Sequence, residues 1–87
     1  MPNIYIEKNA TIHISTQILN NVSIGSYTEI DANSVITFST IGSSCKIGKN
    51  VRIINSIIGK GVVIGDSCTI VGSILWDQVG LESGVTI

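Results

Sequence analysis

Aromatic residues are scarce in this 87-residue chain, which has one Trp, two Tyr and one Phe. Any interior must therefore be filled by aliphatic side chains, and a hydrophobic content of 44% supplies them. Charge is scarce as well. Only 13% of residues are charged and the formal net charge is −1. That is too few charges for a disordered tail and too little positive excess for a nucleic-acid binder. Two cysteines do not make a disulfide framework. No apolar run approaches the 18 or more residues of a membrane-spanning helix. The opening MPNIYIEKNA lacks the charged and apolar regions of a signal peptide. The length admits one small domain. These absences lead us to expect a cytoplasmic chain with an aliphatic interior, in contact with neither membrane nor nucleic acid.

What is present is a period. Ile6, Ile12, Ile18, Ile24, Ile30 and Ile36 are each six residues apart. Ile41, Ile47 and Ile53 follow, then Ile58, Ile64 and Ile70, then Leu75, Leu81 and Ile87. The later steps run six, six and five, a period of 17. A second position keeps the same register. Two residues before each aliphatic, from Ala10 and Thr16 through to Val79 and Val85, every residue is small or β-branched. At the short step it is always serine: Ser39, Ser56 and Ser73. Gly25, Gly42, Gly48, Gly59 and Gly65 directly follow an aliphatic. We expect these glycines to take φ > 0 at corners, where a Cβ is penalised.

Such spacing does not suit a helix, which needs apolar residues at i, i+3, i+4 and i+7. It suits a repeat architecture. Three six-residue steps, each a short strand and a turn, make one triangular coil. Coils stack as parallel strands about 4.8 Å apart. The spacing predicts an all-β fold, a parallel β-helix of five coils at 6–23, 24–40, 41–57, 58–74 and 75–87. No coil is stable alone, because each covers its neighbour.

Residues just before an inward aliphatic point outward. On the first face these are Tyr5, Ser23, Thr40, Ile57 and Ile74. Trp76 sits one residue past Leu75, at a corner. We expect Ile57, Ile74 and Trp76 to form an exposed apolar patch that binds another protein, with Val63 extending it. Local packing of Trp76 against its own coil is the competing reading.

The segment STIGSSCKIGKNVRIINSIIG, with its Ser-x-Ile-Gly and Cys-x-Ile-Gly units, resembles the hexapeptide-repeat β-helix that follows a nucleotidyltransferase-like domain. It is similar to that of the epsilon subunit of the eukaryotic guanine-nucleotide exchange factor for the second translation initiation factor. NIYIEKNATIH followed by NNVSIG is similar to GDP-mannose pyrophosphorylases, and Ile-Leu-Trp-Asp at 74–77 occurs in both groups. The resemblance implies a left-handed winding, which the spacing alone does not. It implies that residues 1–87 are the β-helix of a longer, nucleotidyltransferase-like protein. Ending on the inward Ile87, without a cap, fits a fragment with an edge open to self-stacking. The role implied is assembly with other subunits of the exchange factor, without catalysis. The alternative is an oligomerisation or regulatory domain of a sugar-nucleotide pyrophosphorylase. A hexapeptide acyltransferase is a more distant third.

Few residues invite catalysis. His13 is the only histidine, whereas related zinc enzymes use three and the acyltransferases place a histidine base on a loop. A solvated corner is expected for it. Cys45 and Cys68 occupy inward small positions on different faces and read as buried, inert thiols. IGKGVVIG lacks the spacing of a phosphate loop. Lys46, Lys49, Arg52 and Lys60 read as solvated surface, or else as a basic patch for an acidic partner. No catalytic, metal or cofactor residue is assigned.

Overall fold

The computed structural model describes residues 3–87. Among them the chain forms fourteen strands of two or three residues and no helix. Strands β1 (Ile4–Ile6), β4 (Val22–Ile24), β7 (Thr40–Ile41), β10 (Ile57–Ile58) and β13 (Ile74–Leu75) pair in that order as the first face. The second face stacks β2 (Thr11–Ile12), β5 (Glu29–Ile30), β8 (Lys46–Ile47), β11 (Val63–Ile64) and β14 (Gly80–Leu81). The third stacks β3 (Gln17–Ile18), β6 (Val35–Thr37), β9 (Arg52–Ile54) and β12 (Thr69–Val71), continued by a parallel bridge from Thr69 to Thr86. Every pairing is parallel, and the registers repeat the 17-residue step, as in Ile41 to Ile58 to Leu75. The fold is a parallel β-helix of about five turns, wound in the left-handed sense that the resemblance implied.

The inward aliphatics form one continuous core. Ile24, Ile30, Ile36, Ile41, Ile47, Ile53, Ile58, Ile64, Ile70 and Leu75 are all buried, with Val22, Val51, Val62, Cys45 and Cys68 beside them. Burial fades at both ends. Ile12, Ile18, Leu81 and Val85 are only partly covered, because each has a neighbouring coil on one side only.

The small inward position does more than fit a tight corner. At Thr28, Ser34, Ser39 and Ser56 the side chain reaches both a carbonyl and an amide. Thr28 donates to Gly42 O at 2.7 Å and accepts from Cys45 N at 3.2 Å. Ser34 donates to Gly48 O and accepts from Val51 N. At the short step, Ser39 donates to Thr37 O and accepts from Ser56 N. Ser56 in turn donates to Ile54 O and accepts from Ser73 N. No described buried side-chain N or O lacks a partner. The serine at each five-residue step is thus a hydrogen-bonding link between coils, which offsets the cost of burying a hydroxyl.

The expected role of the glycines needs correcting. Gly25, Gly42, Gly48, Gly59 and Gly65 do not adopt positive φ. A Cβ on Gly25 would lie 2.6 Å from Gly42 C, and one on Gly42 would lie 2.8 Å from Gly59 C. These glycines allow one coil to approach the next. Positive φ falls two residues further on, at Asn9, Asn33, Asn50, Ser44, Ser67 and Gly61 among others. Asn and Gly tolerate that conformation best.

Candidate functional site

The prism has three lateral faces with one backbone and different outward residues. The outward ladder of the first face is continuous through the register Tyr5–Ser23–Thr40–Ile57–Ile74. Ile57 and Ile74 are therefore neighbours on adjacent coils, both more than half exposed. Trp76 stands beside them at the first corner, which joins the first and second faces. It is 78% exposed, so it does not pack down on its own coil. Val63 lies elsewhere. It pairs with Lys46 and Gly80 on the second face, so it cannot extend the patch. The 17-residue period allots each outward residue to one face, and Val63 precedes an inward aliphatic of the next face round.

Two residues that the periodicity did not single out belong with the patch. Tyr27 is at the first corner and Phe38 at the third corner, which joins the third face to the first. The two flank the first face on opposite sides. Both have positive φ, 61° and 50°, at positions where other coils place Asn, Ser, Gly or Gln. For a residue with a Cβ that conformation costs roughly 1–2 kcal/mol. Both residues are nonetheless exposed, at 62% and 48%, and neither belongs to the core cluster. With Tyr5 and Trp76, all four aromatic residues of the chain lie on the first face or its two edges.

The surroundings sharpen the contrast. The strands of the first face and the third corner contain no charged residue. A recess of about 210 Å³ opens on this face between Tyr5, Ser23, Thr40 and Asn21. The second face carries Glu29 and Lys46 in register. Its groove, about 380 Å³, is lined by His13, Glu29, Asp31, Lys46 and Val63 among others. All five of these side chains are exposed. His13 Nδ1 accepts from Ser15 N at 3.1 Å and lies 2.8 Å from Ser15 Oγ, which ties the ring to its own corner. Among the described residues no group of His, Cys, Asp and Glu is arranged to hold a metal ion.

The remaining polar candidates are spread out. Lys46 is on the second face, Lys49 at the second corner, Arg52 on the third face and Lys60 at the first corner, so they form no common patch. Asp66 and Asp77 serve the corners, their Oδ1 atoms accepting from Lys49 N and Lys60 N at 2.8 Å. Cys45 and Cys68 are buried and free, and they sit before strands of different faces. Burial pushes the Cys45 thiol above its ordinary value, against weaker lowering by nearby hydrogen bonds. No helix of the described chain is long and apolar enough to cross a membrane.

Comparison with known proteins agrees with this fold. Residues 1–87 match the family described as the EIF2B subunit epsilon LbH domain. No similarity to a curated protein reaches significance. A chain in the crystal structure of the CcmM N-terminal domain in complex with CcmN superposes with a TM-score of 0.91 at 20% identity, over 99% of this chain and 91% of that one. The acetyltransferase domain of PglB from Neisseria gonorrhoeae, with acetyl coenzyme A, gives 0.65 at 18% identity, over 95% of this chain and 53% of that one. A hexapeptide transferase family protein from Anaplasma phagocytophilum gives 0.58 at 18% identity, over 95% and 72%. At these identities the likenesses establish the fold and nothing more.

Proposed function

Because this chain belongs to the family of EIF2B subunit epsilon LbH domains, we propose that it is the assembly β-helix of an epsilon-like subunit of a translation-initiation guanine-nucleotide exchange factor. The match over the whole chain carries this reading. In it the domain is non-catalytic and cytoplasmic and lies within a longer, nucleotidyltransferase-like polypeptide. Its contribution is to hold subunits together while chemistry proceeds elsewhere.

The construction of the coils supports a scaffold role. Each corner is only two to four residues long, so no inserted loop builds a cleft over the faces. The first face is the surface best suited to a subunit contact. It combines apolar rungs at Ile57 and Ile74 with exposed aromatic residues, the residue types enriched where interfaces are strongest.

The test is affinity capture with the folded chain as bait, the captured proteins being identified by mass spectrometry. Recovery of other exchange-factor subunits, reduced by Trp76→Ala with the fold intact, is the expected result. Recovery of a sugar nucleotidyltransferase in their place would overturn the reading in favour of a pyrophosphorylase domain.

A further inference from the structure

The first face also has the properties of a surface that meets its own copy. We propose that two copies of this chain pair through their first faces, with their prism axes parallel and a two-fold axis running between them. The proposal deepens the assembly reading above by naming one partner of the same surface.

Charge is the first argument. The first face is uncharged, so two copies bring no like charges together across it. On the second face a pairing of matched rungs would set Glu29 against Glu29 and Lys46 against Lys46. Like charges so placed oppose association.

Orientation follows from where the side chains lie. A two-fold axis parallel to the prism sets each rung against itself, Ile57 on Ile57 and Ile74 on Ile74. It also exchanges the two edges. The first corner, with Glu7, Lys8, Lys60 and Asp77, then rests against the uncharged third corner of the other copy. Tyr27 comes opposite Phe38, since both flank the face near the second and third coils. Trp76 at the first corner comes opposite Gly72 at the third corner of the other copy. Antiparallel axes would set Ile57 against Ser23 and Ile74 against Tyr5. The parallel arrangement is the one that buries apolar surface on apolar surface.

Area is the third argument. The molecule measures 31 × 22 × 19 Å. One lateral face thus offers on the order of 600 Å² and a pair roughly 1,200 Å², the lower bound for a specific interface. So small a contact depends on anchors, and the exposed aromatic residues supply them.

Sedimentation equilibrium of the purified chain tests the idea. The wild type should be a dimer. Tyr27→Asn with Phe38→Asn should weaken it by roughly tenfold or more, as loss of interface anchors does. Asparagine occupies the same corner positions in other coils, as at Asn9 and Asn55, so these variants should keep the β-rich spectrum. Ile57→Thr, which copies the Thr40 rung, is a second variant with the same expected loss. Ile74→Cys should give a covalent dimer on mild oxidation, while buried Cys45 and Cys68 stay unreacted. A wild type that is monomeric at high concentration overturns the proposal. So does a dimer that survives all these substitutions, or one that Ile74→Cys fails to cross-link. A monomeric chain that still captures exchange-factor subunits would sink self-pairing and leave the assembly reading standing.

Discussion

The first and second faces are built on the same rungs by the same backbone, and they differ only in what points outward. On the first face the ladder Tyr5–Ser23–Thr40–Ile57–Ile74 is uncharged and edged by aromatic residues. On the second the ladder Thr11–Glu29–Lys46–Val63–Gly80 mixes charge, a small apolar residue and glycine. Their inward residues are interchangeable isoleucine and leucine. In a solenoid, then, stability resides in the inward half of each strand, and recognition is free to vary in the outward half.

Adjacent residues give the strongest test of that division. Ile58→Asp and Ile64→Asp, inward on the first and second faces, should each cost roughly 3–5 kcal/mol or more by burying an unpaired charge. That is enough to unfold a small domain, read as loss of the β spectrum and of a cooperative melt. Their outward neighbours should part company. Val63→Asp should change stability by less than about 0.5 kcal/mol and leave assembly unaffected. Ile57→Asp should abolish association and lower the melt only by the part that association contributes. Equal effects of the two outward substitutions on assembly would erase the distinction between the faces.

The corners allow a finer comparison. Gly42→Ala puts a Cβ within 2.8 Å of the Gly59 backbone and should cost about 1–3 kcal/mol in thermal unfolding. Gly80→Ala, where nothing lies within 4 Å, should be neutral or stabilise by about 0.4–1 kcal/mol. Ser56→Ala removes a carbonyl contact and the acceptor for Ser73 N, and should cost roughly 1–2 kcal/mol. The smallest effect concerns pH. The Cys45 thiol has its pKa raised in the fold, so its contribution is full below the ordinary value of 9.0 and is lost as pH rises toward the folded value. Stability measured by denaturant titration should therefore decline above about pH 9, and less steeply in Cys45→Ala.

Much of this was legible in the residues. The inward aliphatics, the 17-residue period, the coil count and the exposed Ile57–Ile74–Trp76 group follow from spacing, because a β-helix makes position in the repeat equivalent to position in space. Tyr27 and Phe38 were legible in principle. They fall three and two residues after Ile24 and Ile36, where other coils carry turn-forming residues. Both stand on corners, whereas the outward positions that spacing reveals lie on strands. Val63 was misplaced for a related reason: its hydrophobicity was visible, but its face depends on counting steps around the prism. The corner glycines are visible in the spacing, but their reason is not. Nothing local separates a glycine needed for φ from one needed for close approach, and only the neighbouring coil decides.

Spacing along one chain is enough to fix the repeat, the core and the alternation of inward and outward residues. Stacking of the coils settles what lies beside what. It turned small buried residues into hydrogen-bonded links, gave the corner glycines their reason, and gathered four aromatic residues separated by up to 71 positions around one face. The physical cause is the same in each case. A contact between stacked coils depends on where the backbone of the next turn passes, and a single repeat read alone carries no information about that.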